Sequence, residues 1–281
     1  MKNRIIIFSA FLFITFSCNK NTKTNKADNL NSDSLSTYII LAKNNDLKPK
    51  KRLLFNKKAF SILENHINDS DYRDKLLKIT ENFFILNESK DLQNALQLIL
   101  SKSIEGKDTL RIAKVYSMYG NNYFNQGQND SAYYYFLKSE KLFTKLKDSL
   151  SLGKNYIDKA YAQMYESDYT GSELSSIQAL GYYRNFNDRL SEYLAFNLIG
   201  ISSNELKNYD NALIYHKKAL DYVNKYEEIS NSKLHFRAST YNNLGYVYQN
   251  LNNHKEAVSN FRLGLKEKNL LQDAPYIYSA I

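Results

Sequence analysis

Among its 281 residues the sequence has no tryptophan, one cysteine, two prolines and nine glycines. A single cysteine excludes an internal disulfide and a structural zinc site built on cysteine pairs. So few prolines and glycines leave little to interrupt long helices. Without tryptophan, an aromatic platform for sugars has poor material. The four histidines, His66, His216, His235 and His254, stand at no HExxH spacing and have no carboxylates at metal-ligand offsets. The one lysine-bearing glycine turn, EGKD at 105–108, lacks the other elements of a phosphate loop. No catalytic residue, metal site or cofactor is therefore expected, and the chain reads as a non-enzyme.

Charge is present but confined. The net charge of +9 suggests nucleic acid until it is mapped. Lys2 and Arg4 carry two of the positive charges, and residues 19–58 hold ten basic against three acidic side chains. The remainder, 59–281, is balanced at 26 of each sign. A nucleic-acid binder should show its basic face on the folded domain, so no nucleic-acid partner is expected for this segment.

Lys2 and Arg4 precede the apolar run Ile5–Phe16, which is followed by Ser17 and Cys18. A basic start and an apolar run of this length read as a secretory signal, too short for a spanning helix of roughly 20 residues. A small residue directly before the only cysteine resembles a bacterial lipoprotein signal. That resemblance implies cleavage after residue 17 and lipidation of Cys18, with an ordinary signal peptide or an N-terminal anchor, its cysteine incidental, as the other reading. The segment 18–50 is expected to be a mostly disordered, basic tether, since its first half is polar and without apolar periodicity. An N-terminal helix is expected over 51–70.

Beyond it the chain repeats. In 240–265, Tyr241, Leu244, Gly245 and Tyr248 share one helical face. After a turn at Asn250–Asn253, Ala257, Val258, Phe261 and Leu265 share another. The frame recurs with Gly120, Ala160, Gly200 and Gly245 as reference positions. Small residues follow twelve on (Ala132, Ser172, Ala212, Ala257) and nineteen on (Ser139, Ala179, Ala219, Gly264). Sixteen on stand Phe136, Ser176, His216 and Phe261, and a fainter unit has Phe83, Ala95 and Ile99. Small residues at fixed offsets let helices approach, and no such unit buries its apolar face alone. Most tyrosines, Tyr133–Tyr135 included, are expected to pack between helices. His216 is expected in the core and His254 in solvent at a turn.

The pattern resembles the tetratricopeptide repeat. The residues that carry it are LGYVY (244–248) with Ala257 and Phe261, YGNNY (119–123) with Ala132 and Phe136, and IGISS (199–203) with Ala212 and Ala219. The units exceed the family's usual length, lack its closing proline, and put Ser176 where an aromatic is usual. The resemblance implies an all-α solenoid of about five helix-turn-helix repeats over 75–272, the first degenerate, with a concave groove. A further repeat is expected to begin at 273–281, its open end covered by additional chain or by a second copy in a homo-oligomer.

A groove of this kind is lined mainly by the first helix of each hairpin. The faces turned from the core are Lys114, Ser117, Asn121 and Phe124; Ile157, Tyr161 and Met164; Asn197, Ile201 and Asn204; and Asn242, Tyr246 and Gln249. Lys114, Asn121, Tyr161, Asn197, Asn204, Asn242, Tyr246 and Gln249 are the candidate binding residues. Asparagine amides suit an extended peptide backbone, and tetratricopeptide grooves resemble this in their use of asparagine. The expected role is a membrane-anchored, periplasm-facing scaffold for a protein or peptide ligand, with secretion or surface display as the other location. The same layout resembles the N-terminal sensor part of transmembrane regulators, histidine kinases or DNA-binding proteins, whose remaining domains would follow.

Overall fold

A computed structural model describes residues 34–64, 71–183, 186, 189–225 and 231–271. The expected signal (1–17), Cys18 and the expected further repeat at 273–281 lie outside these residues. The described chain is all helix, and it divides into two compact units, Met1–Asn68 and Asp69–Ile281. No described helix is long and apolar enough to cross a membrane.

Within the expected tether 18–50, residues 18–33 lie outside the described residues and the rest begins with a helix. Residues 34–43 form helix α1, which precedes α2 (Pro49–Glu64). The spacing Leu35, Ile39, Ala42 puts one buried stripe on α1, and Ala59, Phe60 and Leu63 are buried on α2. Tyr38 stacks on Phe55 at 5.8 Å, and Arg52 Nε donates to the Ala42 carbonyl at 2.9 Å. The polar run at 19–34 hid an amphipathic segment directly behind it. The helix expected over 51–70 starts two residues earlier, and 65–70 fall outside the described residues.

The second unit is five helix hairpins: α3 (Tyr72–Ile85) with α4 (Ser89–Glu105), α5 (Thr109–Asn125) with α6 (Asn129–Leu146), and α7 (Ser149–Tyr165) with α8 (Tyr169–Tyr183). The last two are α9 (Arg189–Glu205) with α10 (Tyr209–Asn224), and α11 (Asn231–Asn250) with α12 (His254–Leu271). Each second helix also packs on the first helix of the next hairpin, α4 on α5 through α10 on α11. This stacking buries the continuous core that no single hairpin supplies.

Among the described residues one tight turn is used seven times. Asn87, Lys107, Gly127, Lys147, Ser167, Lys207 and Asn252 each take a left-handed conformation, with φ between 51° and 71°. The next amide reaches back to close the helix end, as in Asp108 N to Ser103 O at 2.8 Å and Asn208 N to Ser203 O at 2.8 Å. This satisfies orphan carbonyls of the ending helix. The same residue then caps the following helix: Asp108, Asp148 and Asp168 accept from the amides of Arg111, Ser151 and Gly171.

The reference positions Phe83, Gly120, Ala160, Gly200 and Gly245 are all buried. A Cβ on Gly120 would stand 2.4 Å from the Phe136 ring, one on Gly200 2.6 Å from His216, and one on Gly245 2.5 Å from Phe261. Each glycine is the seat of the ring sixteen residues later. In α7 and α8 the seat is Gly153 and the ring Tyr183, which is fully buried. Elsewhere the second helices follow the expected frame: Ala132, Ser139, Ser172, Ala179, Ala212 and Ala219 are buried. In α12, however, Val258 and Leu265 are exposed, and Asn260 and Glu267 take the buried positions beside Ala257. Glu267 is held there by an ion pair with Arg237 at 2.8 Å.

Tyrosines fill the remaining space. Tyr135 stacks on Tyr119 at 5.0 Å and on Tyr123 at 5.4 Å, tying α6 to α5. Between α6 and α7, Glu140 accepts from Tyr156 Oη and pairs with Lys159, both at 2.7 Å. Desolvation offsets much of the attraction in such a partly buried pair.

Candidate functional site

The first helices α5, α7, α9 and α11 touch one another in series, so their exposed faces form one surface. Polar rungs join them. Asn121 donates to Asp158 at 3.1 Å, joining α5 to α7. Tyr193 Oη donates to the Phe236 carbonyl at 3.1 Å and lies 3.2 Å from Thr240 Oγ1, joining α9 to α11. Asn243 donates to Asn197 at 2.9 Å, and Asn250 to Asn204 at 3.0 Å.

Three candidate groove residues, Asn121, Asn197 and Asn204, therefore carry inter-repeat bonds. Asn197 is 7% exposed, and its amide oxygen is committed to the neighbouring helix. Asn204 also donates to Glu205 at 3.3 Å. Tyr161 is half-buried against the core around Ile157 and Ala160, and burial together with Tyr193 and Asp158 pushes its hydroxyl up. Ile157, expected to face the groove, is buried in that core because α7 is packed by α6, α8 and α9. Lys114, Asn242, Tyr246 and Gln249 remain exposed. Tyr246 meets the Phe261 ring nearly at right angles at 5.3 Å and leaves half its surface in solvent.

Asp158 was not among the candidates. It is the sole carboxylate of α7. Burial pushes it up to about 6, while Lys154 one turn earlier and the Asn121 amide pull it down. Its signal in the sequence was only an Asp four residues after a Lys within an apolar helix.

The surface offers exposed amides, a tyrosine edge, a lysine and a shielded carboxylate, which suits hydrogen bonding along a chain. His216 is 1% exposed and, with burial as the cause, is pushed down to about 4. It packs on Gly200 as expected of a core histidine. His254 is exposed at the α11–α12 turn, and His66 lies outside the described residues. Among the described residues, no group of three or more His, Cys, Asp or Glu is gathered to hold a metal.

Residues 238–269, α11 and α12, match the family model of the tetratricopeptide repeat. No curated protein matches the sequence. Several solved structures share its fold. Aspartyl phosphate phosphatase F from Bacillus subtilis superposes with a TM-score of 0.69 at 14% identity, covering 93% of this chain and 77% of its own. BtubC from P. vanneervenii gives 0.63 at 13% identity, covering 88% and 92%. The apo form of RapI gives 0.63 at 19% identity, covering 87% and 67%. At such identities the likeness is one of fold.

Proposed function

We propose that this chain, a tetratricopeptide repeat protein by its matched unit and its fold, is a non-enzymatic scaffold that binds a protein or peptide segment. The ligand lies along the first helices. The carrying observation is that α5, α7, α9 and α11 join into one surface whose structural asparagines are bonded while Lys114, Asn242, Tyr246 and Gln249 stay exposed. A pre-bonded frame loses little freedom on binding, so the ordering cost falls on the exposed side chains alone.

The test is site-directed photo-crosslinking in cells. A crosslinker at Asn242 or Gln249 should yield a discrete protein adduct, and one at Lys141, exposed on the second helix α6, should not. Equal adducts at all three sites would overturn the reading.

The finer reading places the scaffold in the cell envelope, tethered through lipidated Cys18 and facing the periplasm. It is supported by Lys2, Arg4, the run Ile5–Phe16 and the single cysteine that follows it. Cys18→Ala should abolish incorporation of labelled fatty acid. Unchanged fatty-acid labelling would remove the anchor from the proposal.

A further inference from the structure

The second helices carry an exposed pattern that the binding face does not use. Tyr134 of α6, Leu174 of α8 and Ile214 of α10 are 52%, 58% and 51% exposed, and they recur at intervals of 40 residues. Leu137 and Ile177 repeat beside them at the same interval, also exposed. No packing role accounts for a large apolar side chain in solvent at one repeat position in three successive hairpins. Scattered single exposures are ordinary, whereas a periodic one forms a surface.

The charges between them have one dominant sign. Lys138 and Lys141 on α6 and Lys217 and Lys218 on α10 follow the apolar positions by three to seven residues. Lys138 lies over the Tyr134 ring at 4.4 Å, so aromatic and cation are already juxtaposed. The carboxylates of these helices are occupied or set aside. Glu140 is held by Tyr156 and Lys159, and Glu173 by Ser203 and Asn211. Asp221 pairs with Lys225 at 3.4 Å, and Asp130 and Asp210 stand in the first turns of their helices. Asp130 and Asp210 thus reduce the positive field at one end of the surface, and Asp221, exposed but offset by Lys225, reduces it less at the other. The repeat region as a whole is neutral, so this is segregation of charge.

We propose that this outward stripe of α6, α8 and α10 docks on an anionic lipid surface. Apolar side chains interleaved with lysines, with a tyrosine among them, suit the headgroup boundary: lysine stems lie along apolar surface while their ammonium groups reach lipid phosphates. A protein interface is the poorer fit, because lysine is depleted in such interfaces. A second copy is poorer still, since two-fold pairing of the same patch sets lysines against lysines. The proposal does not depend on Cys18; a lipid-facing second-helix layer leaves the first-helix face free for its ligand.

The single native cysteine makes a local test simple. In the full chain with Cys18→Ser, Gln178→Cys on α8 carries an environment-sensitive fluorophore, and Asn242→Cys on α11 serves as the comparison. With vesicles of phosphatidylcholine containing about 30% phosphatidylglycerol, emission at 178 should shift to the blue and emission at 242 should not. Combining Lys141→Glu, Lys217→Glu and Lys218→Glu should weaken the response at 178 about tenfold or more. All three side chains are exposed, and circular dichroism checks that the helices are retained. Three results would overturn the proposal. They are silence at 178 while the chain sediments with vesicles, an equal shift on pure phosphatidylcholine, or a shift that appears with protein concentration alone.

Discussion

Gly153 and Tyr183 are in contact across the α7–α8 hairpin: a Cβ on Gly153 would lie 2.8 Å from the tyrosine ring. Three of the other four hairpins seat a ring on Gly120, Gly200 or Gly245. Here Ala160 replaces the glycine and Ser176 the ring, and the contact reappears seven residues earlier on α7 and seven later on α8. In an antiparallel pair, equal and opposite displacements preserve register. The missing aromatic at 176 is thus a relocation, two turns along the same hairpin.

This relocation gives the first prediction. Gly→Ala inside a helix ordinarily stabilises by about 1 kcal/mol. At Gly153 the methyl meets a fully buried ring, and overpacking costs about 1–3 kcal/mol. Gly153→Ala should therefore lower the denaturation midpoint, while Gly181→Ala, where nothing lies within 4 Å, should raise it.

How much of this was legible follows from the kind of signal each feature leaves. The spacing of Gly120, Gly200 and Gly245 from Phe136, His216 and Phe261 stood in the sequence because one residue type repeats at one offset. The Gly153–Tyr183 seat did not, since it keeps the geometry and changes both positions. Helix α1 was hidden by the polar run before it. The commitment of Asn121, Asn197 and Asn204 to neighbouring first helices depends on how hairpins stack, and a single helix's periodicity carries no such information. Asp158 was missed for the same reason: its partner Asn121 comes from another hairpin.

The turns give a second prediction. Of the seven left-handed positions only Gly127 is glycine, although a side chain there is unfavourable by about 1 kcal/mol. Lys207, exposed at φ 62°, should gain about 0.5–1 kcal/mol on replacement by glycine. Gly127→Ala should lose a similar amount. Urea denaturation followed by circular dichroism measures both.

A buried histidine and a half-buried aspartate pull stability in opposite directions with pH. Burial lowers His216 to about 4, below its unfolded value, so the unfolded chain takes up the proton first. Its contribution is intact above pH 6.5 and is lost as pH falls toward 4, by at most on the order of 3 kcal/mol. Burial raises Asp158 to about 6, above its unfolded value, so its contribution is present at low pH and is lost as pH rises through 6. His216→Phe, which copies the ring at 136 and 261, should remove the acid sensitivity and leave stability declining between pH 4 and 6. Asp158→Asn should produce the opposite slope. Stability curves of the two variants across this range that run parallel would refute the assignment.

The last prediction separates frame from binding surface. Asn197 is buried and accepts from Asn243, so Asn197→Ala strands that amide and should cost about 1–3 kcal/mol. Asn242 is its neighbour on the same first-helix series, exposed. Asn242→Ala should shift stability by less than about 0.5 kcal/mol, as surface changes do. In the crosslinking assay with the photoreactive group at Gln249, Asn242→Ala should reduce adduct yield at full stability. Asn197→Ala should lower the denaturation midpoint yet keep the adduct below its unfolding temperature. If instead both variants lose adduct in proportion to stability, the exposed face is not where the ligand is read.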